Sequence, residues 1–126
     1  MKDGGPFDIE VSRQSDGVSV VVLNGEVDIY TAPRLRDALM ADIDAGVSRI
    51  VVDLSAVPFI DSSGLGVLVV ALRRLKEHGG CITLVCAHEN VIRAFRLTGL
   101  LSVFPLHANR DDAVAEARDG GVTRSD

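Results

Sequence analysis

The sequence predicts an α/β domain: a mixed, mostly parallel β-sheet with an N-terminal antiparallel hairpin and about four helices. Three observations carry this. Short runs rich in β-branched residues alternate with stripes of leucine and isoleucine at helical spacing. Turn and stop residues, among them Asp16-Gly17, Asn24-Gly25, Gly46, Gly79-Gly80 and Gly99, fall between those segments. The first run alternates polar with apolar residues, whereas later runs are almost continuously apolar. That contrast fits an exposed hairpin joined to strands buried on both faces.

The elements follow in order. Phe7, Ile9 and Val11 alternate with Asp8, Glu10 and Ser12 in a half-exposed strand over residues 7–13. After the Asp16-Gly17 turn, residues 18–23 form a second strand antiparallel to the first. Residues 26–30 lead to a helix opening at Thr31-Ala32-Pro33, with Thr31 as its cap and Pro33 in its first turn. Leu35, Leu39 and Ile43 are its inner stripe and Gly46 its end. Residues 49–54 make the next strand, and a long helix carries Leu65, Leu68, Leu72 and Leu75. Residues 81–86 are a strand, a shorter helix holds Val91, Ile92 and Phe95, and residues 101–104 are expected to form the last strand. Asn109, with Asp112 three positions on, opens a final helix containing Ala113, Val114 and Ala117. The domain spans residues 7–117, with residues 1–6 and 118–126 expected to be flexible.

With 126 residues, 47% of them hydrophobic, the chain can build one core and not two. Four Phe, one Tyr and no Trp make that core aliphatic. No apolar run approaches a membrane span and no signal-peptide segment opens the sequence, so no membrane contact and a cytoplasmic location are expected. A formal charge of −5 argues against a nucleic-acid partner, because phosphate binding needs a basic surface. The Arg73, Arg74 and Lys76 cluster reads as a solvated helix face. Cys81 and Cys86 have opposite parity on one strand and match neither C-x-x-C nor zinc spacing. They read as small buried hydrophobes, with a redox switch as the alternative. His78, His88 and His107 share no ligand spacing, so no metal and no cofactor is expected. Without a coiled-coil seam, a monomer is expected.

One stretch carries chemistry: Phe59-Ile60-Asp61-Ser62-Ser63-Gly64-Leu65-Gly66, where a strand hands over to a helix. A serine at a helix start can cap it, act as a nucleophile, bind an anion or carry a phosphate. A hydrolase would need Ser62 beside a base such as His88, yet the G-x-S-x-G pattern is absent. A nucleotide loop is equally unsupported: there is no Walker lysine, and Val69 stands where G-x-G-x-x-G needs its third glycine. Gly64 and Gly66 each cost about 1 kcal/mol of helix propensity relative to alanine. Either they let a partner approach the helix start, or they pack this turn on the sheet.

Taken together, Leu23-Asn24-Gly25-Glu26-Val27-Asp28, Thr31-Ala32-Pro33, Val52-Asp53-Leu54, the serine motif, Gly79-Gly80, Leu84-Val85-Cys86, Phe95-Arg96-Leu97-Thr98-Gly99-Leu100 and Val103-Phe104-Pro105 resemble the STAS domain. Within it, the chain is most similar to bacterial anti-sigma factor antagonists. The resemblance implies a STAS fold and a binding role rather than an enzyme. The unmodified protein would bind an anti-sigma factor that is a serine kinase and so release a sigma factor. Phosphorylation would break that complex, and a PP2C-type phosphatase would restore it. The phosphoacceptor maps to Ser62, with Ser63 as the alternative. Asp28, Tyr30, Thr31, Asp61, Ser62, Ser63, Gly64 and Leu65 map to the partner-binding region, although Asp28 also reads as a turn former and Tyr30 as a packing residue. The other reading is a scaffold-type STAS subunit of a stressosome or transport complex.

Physical chemistry fits such a switch. A phosphoserine adds about −1.5 to −2 charge. The helix start would offset roughly 0.3–1 kcal/mol of it, while like-charge contact at an interface costs several kcal/mol.

Overall fold

The computed structural model describes residues 6–119. Five strands, β1 (Asp8–Arg13), β2 (Val18–Asn24), β3 (Arg49–Ala56), β4 (Cys81–Val85) and β5 (Leu106–His107), alternate after the hairpin with α1 (Ala32–Asp44), α2 (Ser62–Lys76), α3 (Glu89–Leu97) and α4 (Arg110–Arg118). The strands lie side by side in chain order. β1 and β2 are antiparallel and every later pair is parallel.

Strand parity divides the core. Val21 and Leu23 of β2, Ile50, Val52 and Leu54 of β3, and Ile82 and Leu84 of β4 share one face with the stripes of α1, α2 and α3. Val18 and Val20, Val51 and Val85 point the other way, against Ala113 and Ala117 of α4. Burial on both faces is why these strands read as continuous apolar runs. Cys86 lies in the larger core and Cys81 is half-buried, and burial pushes both thiols up from their ordinary pKa.

Two buried aspartates in these layers are paired. Asp42 of α1 is fully buried. It accepts from Arg13 Nε at 2.8 Å and from the Ser19 hydroxyl at 2.5 Å, tying α1 to both strands of the hairpin. Asp53 is buried on the α4 side. Burial alone would raise its pKa, but the Ser55 hydroxyl and N–H and the Arg110 guanidinium, at 2.9 Å, hold its carboxyl below the usual value.

One expected element is wrong. Residues 101–104 are not a strand: Leu100–Ser102 is a 3-10 turn, and β5 begins at Leu106. Gly99, at φ +78°, turns the chain out of α3. The N–H groups of Val103 and Phe104 then both bond to the Leu100 carbonyl at 3.0 Å. Phe104 is 1% exposed and meets Phe95 edge-on, ring centroids 6.0 Å apart, so burying this ring outweighs pairing on the sheet. Pro105 has no N–H to give a ladder, and only the two residues after it pair with β4.

Asn109 caps α4 as expected, accepting from the Asp112 N–H at 2.9 Å. The helix runs to Arg118, whose guanidinium pairs with Asp16. Residues 1–5 and 120–126, expected to be flexible, lie outside the described residues.

Candidate functional site

In a parallel sheet the loops after neighbouring strands leave from the same edge. Here the loops following β2 and β3 are also bonded to each other. Val27 N–H donates to the Phe59 carbonyl at 2.9 Å, and Asp61 N–H donates to the Val27 carbonyl at 3.1 Å, forming a single parallel bridge between Val27 and Ile60. Both side chains are buried, so the bridge is anchored from below. Gly25, just before the bridge, admits the backbone that leads into β1. Its φ is +113°, and a Cβ there would lie 2.3 Å from the Pro6 carbonyl oxygen.

Each loop is shaped by an aspartate. Asp28 Oδ1 accepts from the N–H groups of Tyr30 and Thr31 at 2.9 and 3.1 Å, so Asp28 is a turn former. Thr31 departs from its expected role: its hydroxyl does not cap α1. It donates to the Glu26 carbonyl at 2.8 Å and accepts from Asp28 N–H at 2.9 Å, inside the loop. Asp61 is the cap of α2, its Oδ1 accepting from Ser63 and Gly64 N–H at 2.8 and 3.4 Å.

That assignment decides the capping question for the serines. Asp61 holds the cap position and Ser62 is the first helical residue, exposed, with no hydrogen bond to its hydroxyl among the described residues. No imidazole or other base is hydrogen-bonded to Ser62 Oγ among them, and His88 stands before a different helix, α3. Among the described residues, no group of three His, Cys, Asp or Glu side chains is placed to hold a metal ion, and no helix is long and apolar enough to cross a membrane.

The two glycines of the motif separate. Gly64 is buried, and a Cβ there would lie 2.5 Å from Val27 Cγ1 and 2.8 Å from Ile60 Cγ1. It packs the start of α2 onto the bridge. Gly66 is exposed, and a Cβ there would meet nothing within 4 Å. Packing does not explain it.

Asp28, Tyr30, Asp61, Ser62 and Ser63 therefore gather at one surface, whereas Thr31, Gly64 and Leu65 lie beneath it, Leu65 within the core. Two residues at this surface were not among those singled out: Ile29, 66% exposed like Tyr30, and Phe59, 45% exposed. They leave large apolar side chains in water beside these polar residues. The available signal was weak, since both sit in segments with no clear period.

The STAS domain family model matches residues 11–113. The chain belongs to the STAS domain family. Its relatives include the anti-sigma-B factor antagonist of Bacillus subtilis, 32% identical over 108 residues that cover 86% of this chain and 97% of that protein. Another is the anti-sigma-B factor antagonist of Listeria monocytogenes, 33% identical over 95 residues covering 75% and 82% of the two chains. Among solved structures, an anti-sigma factor antagonist from Mycobacterium paratuberculosis superposes with a TM-score of 0.83 at 36% identity, covering 94% of this chain and all of that one. The expected STAS fold, with its hairpin, parallel strands and four helices, is the one observed. In this STAS domain the serine motif occupies the start of α2, as read from the sequence.

Proposed function

We propose that this STAS domain is an anti-sigma factor antagonist controlled by phosphorylation of Ser62. In the unmodified form, the surface formed by Ile29, Tyr30, Phe59 and the start of α2 binds an anti-sigma factor that is a serine kinase, and a sigma factor is released. The kinase transfers a phosphoryl group from ATP to Ser62 Oγ, and a PP2C-type phosphatase removes it by hydrolysis. The supporting observation is the division of labour at the helix start: Asp61 takes the free N–H groups, leaving the Ser62 hydroxyl exposed and uncommitted. Ser63 is half-buried and follows it into the helix, which favours Ser62 as acceptor.

Geometry sharpens the energetics. Because Asp61 already holds the Ser63 and Gly64 N–H groups, a phosphate on Ser62 gains less from the helix start than a bare N-terminus would give. It also adds to the charge of Asp61 and, across the bridge, Asp28. In water, about 4 Å from a unit charge, such repulsion is about 1 kcal/mol per unit charge, which the fold tolerates. Desolvated at an interface it reaches several kcal/mol, and each ~1.4 kcal/mol is tenfold in affinity.

The test is incubation with ATP and the candidate anti-sigma kinases of the same genome, followed by intact mass, peptide mapping and a binding titration. One phosphate on Ser62 with loss of the complex is expected. Ser62→Ala should bind without switching, and Ser62→Asp should bind at least tenfold more weakly while staying folded. Equal binding by parent and Ser62→Asp would refute the charge mechanism.

A further inference from the structure

The outer edge of β1 is open. β1 stands first in the sheet, and no strand lies beyond it among the described residues. The Gln14 N–H donates to the Val18 carbonyl at 2.7 Å, which makes these two residues a hydrogen-bonded pair. Such pairs alternate along an antiparallel ladder. In the register of β1 with β2, Ser12, Glu10 and Asp8 therefore also turn their backbone groups toward β2. Arg13, Val11 and Ile9 turn theirs outward, where nothing bonds to them among the described residues. The opposite edge of the sheet is shorter: β5 has 2 residues and β1 has 6.

Nothing in β1 itself closes this edge. The strand contains no proline, and its pairing with β2 is regular from Asp8 to Arg13. Charged side chains guard many sheet edges, but here they are directed elsewhere. Asp8 and Glu10 alternate onto the α4 face, and Arg13 is held by Asp42 of α1. Ile9 and Val11 share the α1 face, and Val11 is 41% exposed although Val21 opposite it is buried.

We propose that the chain forms a homodimer by antiparallel pairing of β1 with β1 of a second copy, on a two-fold axis through Val11. The strand is complementary to itself in that register. Val11 faces Val11, and Ile9 faces Arg13, whose stem is apolar. All of these residues turn their backbone groups outward, so each facing pair exchanges two bonds. On the other face Glu10 lies opposite Ser12 and Asp8 opposite Gln14, so no acidic residue meets another. The smallest slide that keeps the bonding is two residues. In one direction it sets Glu10 against Glu10; in the other it carries Ile9 past Arg13 to Ser15, in the hairpin turn. The two-fold axis is perpendicular to the joined sheet, so β2 and β3 of the two copies run in opposite directions. The two Ser62 surfaces then lie at opposite ends of the dimer, and both stay free. A dimer of this kind replaces the monomer expected from the sequence and presents its partner surface twice.

A single strand pair is a small interface, so the dimer is expected to be weak and concentration-dependent. The experiment is sedimentation equilibrium of the full chain from micromolar to millimolar concentration, joined to cysteine cross-linking. The apparent mass should rise toward twice that of one chain. Val11→Lys, which sets two like charges on the axis, should weaken association roughly tenfold while its amide spectrum stays dispersed. Val11→Pro should do the same, because it removes an outward N–H that β2 does not use. In the dimer the two Val11 Cα atoms lie about 5.5 Å apart, within disulfide range. Val11→Cys should therefore link to itself in oxidised glutathione, with the bond located at residue 11 by peptide mass. The two Asp8 residues stand about 20 Å apart, so Asp8→Cys should not link. The proposal is overturned by a constant monomer mass up to millimolar concentration, by undiminished association of both Val11→Lys and Val11→Pro, or by equal linking of Asp8→Cys and Val11→Cys.

Discussion

Gly64 and Gly66 sit within one turn of the same helix, yet alanine should affect them with opposite signs. At Gly66 the added methyl meets open space, so the only change is in helix propensity and unfolded-chain entropy. The variant should gain about 0.5–1 kcal/mol. At Gly64 the methyl would sit 2.5 Å from Val27 Cγ1 and 2.8 Å from Ile60 Cγ1, both buried side chains. Overpacking of this kind costs about 1–3 kcal/mol, against a propensity gain of at most ~1 kcal/mol. The net is a loss of about 1–2 kcal/mol. The two variants should differ by ~2 kcal/mol in urea unfolding, or about 8 °C in thermal midpoint for a chain of this size. Gly64→Ala should also disturb the Val27–Ile60 bridge and lower partner affinity. If Gly66→Ala destabilises the protein, or Gly64→Ala stabilises it, the assignment of one glycine to packing and the other to open surface is wrong.

Other expectations follow from the same structure. Asp61→Ala removes the α2 cap and should cost about 1 kcal/mol in urea unfolding; no loss would mean that the Ser63 and Gly64 N–H groups find other partners. Asp42→Ala strands the fully buried Ser19 hydroxyl and frees Arg13. It should cost about 1–3 kcal/mol, whereas Asp42→Ala with Ser19→Ala should recover part of that in a double-mutant cycle. The Asp53 carboxyl has its pKa lowered on folding, so its stabilisation is present above the ordinary aspartate value and is lost as pH falls through the folded value. The stability gap between the parent and Arg110→Ala should therefore be larger at neutral pH than near pH 3, and a constant gap would refute the pairing. Alkylation of Cys81 and Cys86 by iodoacetamide should be slow in the native state, because burial raises both thiol pKa values; rapid labelling at neutral pH would contradict that.

The succession of strands and helices was legible because two-sided burial imposes continuous β-branched runs, and because Gly46, Gly79 and Gly99 stand at positive φ where helices end. The last strand was misplaced for an equally physical reason: in residues 101–104 hydrophobicity reflects the anchoring of Phe104 in the core, not pairing with β4. At the site, periodicity located the start of α2 but could not say which polar residue caps it. Asp61 and Ser62 are both good caps, and only the backbone geometry shows Asp61 outside the helix and Ser62 inside. Burial of Thr31, and exposure of Ile29 and Phe59, depend on the bridge between two loops distant in sequence. No local pattern encodes that bridge.

The Val27–Ile60 bridge has a consequence for fidelity. The serine motif is contiguous in the chain and is present in a nascent or unfolded polypeptide, but Asp28 and Tyr30 stand beside it only once β2 and β3 have paired and the two loops have closed on each other. Under the proposed function, a kinase that reads both loops would modify only copies in which they have closed, and misfolded copies, which display the serine without its neighbours, would stay outside the phosphorylation cycle.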